Sequence, residues 1–443
     1  MQVIRLLVSE GRVCGVAAIS TEDASFHMFS CSNVILATGG PAEAYRYSVY
    51  PESQTGATGL AIEAGAKLAN MQEWQYGIAS VGFRWNVSGT YQQVLPAYLS
   101  ISPDGKAREF LYDYFDSPYK ALDAVFLKGY QWPFDVRKKD GSSRIDIAVS
   151  EEIRKGNRVY LDFRNNPSKL SFSNLGQEAY QYLKRSEALF GTPIERLERM
   201  NPAAAELYRS HEIDLKCDLL EIAVCAQHCN GGVAVDANWE SSIKGLYAVG
   251  EAAGNFGTYR PGGSALNAAQ VGSMRAAEHI ARSQYPVLRD VPQTADPMPD
   301  IHWSSISNLR EIKERCQAKM SVCAAQFRNI SEMEKLKKEL SSLRSRFYEA
   351  VKIKSSSELP ELFKTYDMLL VQISMLSAML LSAKQCGSYG GAWIDDSGRS
   401  SPRPDAAIIT QWEKSYFEPV CPIPDADVWF ETVWKDYNGR LNR

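Results

Sequence analysis

The sequence predicts a mixed fold: an α/β unit, partly Rossmann-like, that is split by an α+β insertion and followed by a helical region. Three observations predict it. First, the runs NVILATGG and GLYAVGEAAG, far apart in the chain, are short apolar segments ending in small residues, the pattern of buried parallel strands. Second, strand-like pieces such as VGFRWNVSG and RVYLDF alternate between them with helical pieces such as IAVSEEIRKG. Third, from about 301 to 384 apolar residues recur every three or four positions. At 443 residues the chain is too long for one ordinary core, so two or three domains are expected.

Element by element, VIRLLVSEGRVCGVAAI reads as a hairpin with Glu10 and Gly11 as its turn. Val34 to Leu36 then form a buried strand that stops at Ala37, Thr38, Gly39 and Gly40. Small residues there let a ligand or another backbone approach closely. Gly56-Ala57-Thr58-Gly59 leads into the short helix LAIEAGAKLAN. After the insertion, GGVAVD and GLYAVG are short strands, and SALNAAQVGSMRAAEHIA after Gly263 is an amphipathic helix. A proline-bearing linker (Pro292, Pro297, Pro299) separates this from the helical region. There the 333–352 stretch carries Leu336, Leu340, Leu343 and Phe347 on one stripe, which suits a packed bundle helix better than a partner-binding coiled coil. The tail from Gly387 is loop-rich and aromatic (Trp393, Trp412, Trp429, Trp434) and is expected to wrap over the rest. The resulting divisions are 1–76, 77–210, 211–289, 300–385 and 386–443, the first and third being two parts of one domain.

Composition narrows the function. The net charge is -3 and no basic stripe points to nucleic acid. The start MQVIRLLVSEGRVCG has no signal-peptide pattern, and no apolar run reads as the roughly 18 residues of a bilayer span. Nine cysteines without framework spacing fit reduced thiols, hence a cytoplasmic protein. Cys225, His228 and Cys229 form a metal-like cluster with only Cys217 nearby; zinc sites need a second pair, so no metal is expected.

The segment 245–267 carries the chemistry. A strand runs into Gly250-Glu251-Ala252: glycine permits close approach of a cofactor, and the carboxylate can accept from sugar-alcohol hydroxyls. Next come Tyr259-Arg260-Pro261-Gly262-Gly263-Ser264-Ala265-Leu266, opening a helix whose free N–H groups suit an electron-rich ring edge. Arg260 can hold a carboxylate at two points. Each piece alone is equally an ordinary turn or surface loop. Their spacing together points to a cofactor site.

GLYAVGEAAG followed by YRPGGSALNAAQVGSMRAAEHIA closely resembles the second FAD-contacting segment of the fumarate reductase/succinate dehydrogenase flavoproteins, the group that also holds L-aspartate oxidase. NVILATGG and QHCNGGVAVD resemble two further family segments, in the same order, over about residues 1–282. The resemblance implies FAD as cofactor, a capping domain for 77–210, and a cytoplasmic oxidoreductase passing hydride between flavin and a small carboxylate-bearing substrate. It places Ala37, Thr38, Gly39, Gly40, Gly250, Glu251, Gly263, Ser264, Ala265 and Leu266 around FAD, Glu251 on its ribityl chain. It makes Arg260 the substrate anchor, His228 a second substrate contact and Arg144 the nearest candidate for the cap's proton-shuttling arginine, though out of register.

The sequence also departs from that family. It contains no G-x-G-x-x-G, the cradle for the pyrophosphate of FAD. Three arrangements satisfy this: a split protein whose N-terminal half is a separate polypeptide, a piece of a longer reading frame, or a degenerate half serving as a structural partner. The first two are preferred. In each, the sheet is expected to expose an unpaired edge. Gly77, in Gln75-Tyr76-Gly77-Ile78, stands where the family's substrate histidine belongs. Fumarate and succinate are therefore not assigned as substrates.

Overall fold

The structure is a computed structural model that describes residues 1–283, 285–286, 299–394, 405–420, 432–433, 435–436 and 439. Most of the linker prolines, Trp429 and Trp434 lie outside these residues. The chain opens with an antiparallel sheet of β1 (Gln2–Ser9), β2 (Arg12–Ile19) and β3 (Phe26–Ser30). Ser9 pairs with Arg12, and Glu10 and Gly11 both take positive φ, 52° and 73°. That is the turn geometry whose twist matches a two-residue hairpin.

The strand expected at Val34 to Leu36 is present and parallel, though not fully buried. β4 (Val34–Leu36) lies in register with the strand Leu246–Ala248: Val34 opposes Leu246 and Leu36 opposes Ala248. Among the described residues this sheet has only these two strands, and Ile35 on β4 is 48% exposed. The helix Ser264–Ser283 covers one face, where His279 meets the buried Tyr247. Of its 20 residues only Gly272 and Ala276 are buried, while Leu266, Val271 and Met274 face outward.

The insertion folds around a six-stranded sheet. In chain order its strands are β5 (Trp74–Ser80), β6 (Trp85–Asn86), β7 (Ala97–Ile101), β8 (Ala107–Glu109), β9 (Arg158–Asp162) and β10 (Leu220–Cys229). They lie in the order β6-β5-β10-β9-β7-β8. The sheet thus starts before residue 77 and takes its longest strand from beyond residue 210. β5 and β10 are antiparallel from Ser80–Ile222 to Trp74–Cys229, with a bulge between Ala226 and His228. Bulges re-aim side chains and often sit beside functional sites. This bulge lets both Ala226 and His228 take part in the pairing while Gln227 has no opposite residue.

The C-terminal part supplies the buttress. The helix Leu359–Cys386 is mostly buried and packs on Ile330–Ser345, whose Met333, Leu336, Leu340 and Leu343 form the buried stripe. That stripe is used inside the chain. The expectation that no apolar run reaches the length of a bilayer span is corrected here: among the described residues the helical stretch Ser356–Cys386 is apolar and long enough to cross a membrane, although 78% of its most apolar window is buried within the protein. Buried core helices share that composition. The tail does wrap back: Ala406–Gln411 pairs with Leu68–Ala69, and Lys414–Pro419 completes the hairpin.

Asp367 in the long helix ties the two regions. Its Oδ1 accepts from the Leu60 N–H at 3.0 Å, at the start of the helix Thr58–Glu63. Burial, reinforced by Glu43 and Glu63, raises its carboxyl from 3.8 to about 7. The folded state then holds this proton more tightly than the unfolded chain across the window from about pH 4 to pH 7. This contribution is full below that window and is lost as pH rises through it, by up to about 1.4 kcal/mol per pH unit. Asp367→Asn keeps the acceptor and removes the titration. Urea unfolding should show wild type gaining on the variant as pH falls from 7 to 4.5; parallel pH profiles would exclude Asp367 as the source.

Candidate functional site

Four segments converge at the carboxyl end of β4. Strand β4 leads into Ala37, Thr38, Gly39 and Gly40; the first three, with Ser53, Gln54, Thr55 and Gly56, border an open trough of about 530 Å³. Glu251 follows the partner strand Leu246–Ala248 in a short turn. Its Oε1 accepts from the Tyr50 hydroxyl and, at 2.8 Å, from the backbone N–H of Cys229. A β-carbon on Gly40 would sit 2.4 Å from that same oxygen, so any other residue there would push the Glu251 carboxylate out of its place. Burial raises the Glu251 carboxyl, and Tyr50, the Cys229 N–H and Arg260 work against that rise. About 16% of its side chain remains exposed.

Arg260 is held by Gln75. Its Nε and Nη2 both donate to Gln75 Oε1, at 3.0 and 2.7 Å, and Gln75 Nε2 donates back to the Arg260 carbonyl at 3.2 Å. Gln75 lies opposite His228 in the β5–β10 pairing. The cap sheet therefore carries the arginine's clamp, and charge-assisted bonds of this kind contribute roughly 1.5–3 kcal/mol each.

His228 is 6% exposed and its ring state follows from its neighbours. Asn230 Nδ2 donates to the Thr258 carbonyl at 3.3 Å, which turns Asn230 Oδ1 toward His228 Nδ1, 3.0 Å away. An amide oxygen only accepts, so Nδ1 carries the proton. Burial and the Arg260 charge push the imidazole down to about 3 against the opposing bond to Asn230. Nε2 is thus a bare lone pair, buried without a hydrogen-bond partner, 3.9 Å from Glu251 Oε1. Phe256 packs edge-on against the ring at 4.7 Å.

The remaining expected residues fall as follows. Gly250 (φ 61°) and Gly263 (φ 80°) both use the left-handed region. Ser264, Ala265 and Leu266 open the 20-residue helix, with Leu266 71% exposed. Arg144 does not join the cluster: it donates to the Tyr114 carbonyl, approaches Asp140 at 3.7 Å and lies over Phe115, all within the cap. At Gly77 a β-carbon would lie 2.9 Å from both Trp132 and Gln227, so the place of the expected histidine is crowded by other side chains. Burial and the nearby Glu251 raise the Cys229 thiol, which keeps it protonated. Among the described residues no group of three His, Cys, Asp or Glu side chains is arranged to hold a metal. Tyr50, Asn230 and Gln75's grip on Arg260 were not foreseen; only Gln75 had a sequence signal, its place beside the anomalous Gly77.

Comparison with known proteins identifies the family and the fold. The model of the FAD binding domain matches residues 1–266. The chain belongs to that FAD-binding family. L-aspartate oxidase 2 of Ralstonia nicotianae is 24% identical over 249 residues, 56% of this chain and 38% of that protein. The fumarate reductase flavoprotein subunit of Escherichia coli is 26% identical over 271 residues, 60% of this chain and 40% of that one. The chain thus spans about two fifths of the length of these relatives. A solved chain of E. coli quinol fumarate reductase shares the fold at a TM-score of 0.67 and 21% identity, over 96% of this chain and 72% of that chain. Adenylylsulfate reductase from Archaeoglobus fulgidus does so at 0.60 and 15%, with the same coverage. The expected fold class and FAD as the family's cofactor both stand.

The imidazole assignment is measurable in this FAD-binding-family chain. Carbon or nitrogen NMR of His228 should show one neutral tautomer, protonated at Nδ1, with no titration between pH 5 and 8. Asn230→Asp should raise its pKa by stabilising the imidazolium. A wild-type midpoint between 6 and 7 would contradict the buried neutral ring.

Proposed function

We propose that this chain forms the substrate-facing part of an FAD-dependent oxidoreductase acting on a small carboxylate-bearing molecule. The observation that carries this reading is the Arg260 guanidinium, clamped by Gln75 near Glu251 and His228, close to the strand end where flavin would lie. Bound FAD would supply hydride exchange with a substrate carbon. Ala37, Thr38, Gly39 and Gly40 would border it, Glu251 would meet its ribityl chain, and Gly263, Ser264, Ala265 and Leu266 would lie against its ring. The fit is supported by the bare backbone at Gly40 and by the outward-facing start of the helix Ser264–Ser283.

The protein's own groups then divide the work. Gln75 takes Nε and one Nη2 hydrogen and the Pro261 carbonyl takes one Nη1 hydrogen at 3.3 Å, which leaves one N–H on each Nη for a carboxylate that a fixed arginine orients at little reorganisation cost. His228, neutral and protonated at Nδ1, offers an acceptor to an O–H or N–H of the bound molecule. It does not serve as a second cation for a carboxylate. A second reading, a half without its own catalysis that partners a separate dinucleotide-binding polypeptide, draws support from β4, which among the described residues pairs on one side only.

The test is to express the chain alone and together with its upstream coding DNA, add FAD, and record the visible spectrum and turnover with a panel of carboxylic acids. Arg260→Ala is expected to lower kcat/KM by about 100-fold, or about 2.7 kcal/mol, with flavin still bound. Arg260→Lys should recover part of this. Flavin retention with unchanged turnover in Arg260→Ala would reject the carboxylate clamp; flavin binding without turnover on any acid would favour the partner reading.

A further inference from the structure

Strand β5 has two faces, and only one belongs to the site above. Gln75 grips Arg260; the next side chain, Tyr76, points to the opposite side of the sheet, as strand geometry requires. There it lines a separate cavity of about 290 Å³, closed by the cap helix Ser143–Arg154, strand β10 and the region around Gln326. That volume lies near the lower bound, roughly 300 Å³, of small-molecule sites, so it suits a single or fused ring system.

The cavity has a distinct floor and rim. Tyr45 and Tyr76 are 2% and 1% exposed, and their hydroxyls are bonded to one another, with Tyr45 also donating to the Ala324 carbonyl at 2.8 Å. They therefore offer aromatic surface rather than free polar groups. Gln326, 6% exposed, donates from Nε2 to Ser150 Oγ at 2.8 Å, and its Oε1 is buried without a partner. An unpaired buried carbonyl costs about 1–3 kcal/mol, and a ligand's O–H or N–H would relieve it. At the rim, Arg46 and Arg154 are exposed, and their guanidinium groups lie over the rings of Tyr47 and Phe327, at 5.8 and 4.7 Å; Arg46 also feels the Glu314 carboxylate at longer range, so Arg154 is the stronger anchor.

The geometry points to a second ligand site: this cavity binds a planar aryl carboxylate, its ring between the aromatic walls, its acid group at Arg154 and Arg46, and an O–H or N–H at the far end donating to Gln326 Oε1. Cap helix, sheet and helical region all contribute, so occupancy would brace the three against one another. The site is independent of the carboxylate clamp at Arg260.

Titration calorimetry of the full chain with 4-hydroxybenzoate tests this. Saturable one-to-one binding is expected. 4-Methoxybenzoate, which cannot donate, and 4-hydroxybenzamide, which carries no charge, should each bind at least tenfold more weakly. Arg154→Ala, an exposed substitution that leaves the core intact, should weaken 4-hydroxybenzoate at least tenfold, as should Gln326→Leu. Arg260→Ala should leave the affinity unchanged. Absence of binding, equal affinity for the methoxy analogue, or loss in Arg260→Ala but not in Arg154→Ala would each overturn the assignment.

Discussion

The Glu251 carboxylate is the point on which the site's geometry depends. One of its oxygens takes the Tyr50 hydroxyl and the Cys229 N–H, and it presses against the bare α-carbon of Gly40. Those contacts join the end of the parallel pair, the loop after it and the last residue of the cap sheet's longest strand. A buried carboxylate is costly unless its oxygens are satisfied, so the three segments cannot separate without exposing that cost. The position of His228 and Gln75 follows, because both ride on the two strands that this contact pins.

The second consequence is electrostatic. Arg260 and Glu251 carry opposite charges around a histidine that is buried and neutral. Arg260 disfavours a second positive charge, and burial disfavours any charge at all. The site therefore combines one fixed cation, one buried carboxylate and one lone-pair acceptor. Such a set suits a molecule with an acid group at one end and a hydrogen-bond donor near it. The cap sheet is not a lid added to this site; β5 and β10 run through both regions and bear side chains on both faces.

Much of the fold could be read from residue patterns. Glu10-Gly11 marked the first hairpin because few pairs tolerate two positive φ angles in succession. Val34 to Leu36 and Leu246 to Ala248 were recognisable as parallel strands because both are short, apolar and end in small residues. Helix spacing identified the stripe Leu336, Leu340, Leu343, although the sequence could not say what it would face. The limits of the six-stranded sheet were less visible: β5 begins before residue 77 and β10 lies wholly beyond residue 210, and antiparallel pairing across more than a hundred residues leaves no local trace.

The sequence by itself marked Gly250, Glu251 and Arg260 as the edge of a cofactor site, because glycine spacing and strand ends constrain backbone approach locally, and its resemblance to the flavoprotein family added FAD, the order of the segments and His228. Only the tertiary structure decided what those residues touch. The clamp of Gln75 on Arg260, the tautomer of His228, the knot at Tyr50 and the separation of Arg144 from the cluster all depend on side chains brought together from distant positions. Hydrogen-bond direction and burial are properties of three-dimensional neighbours, and no spacing along the chain encodes them.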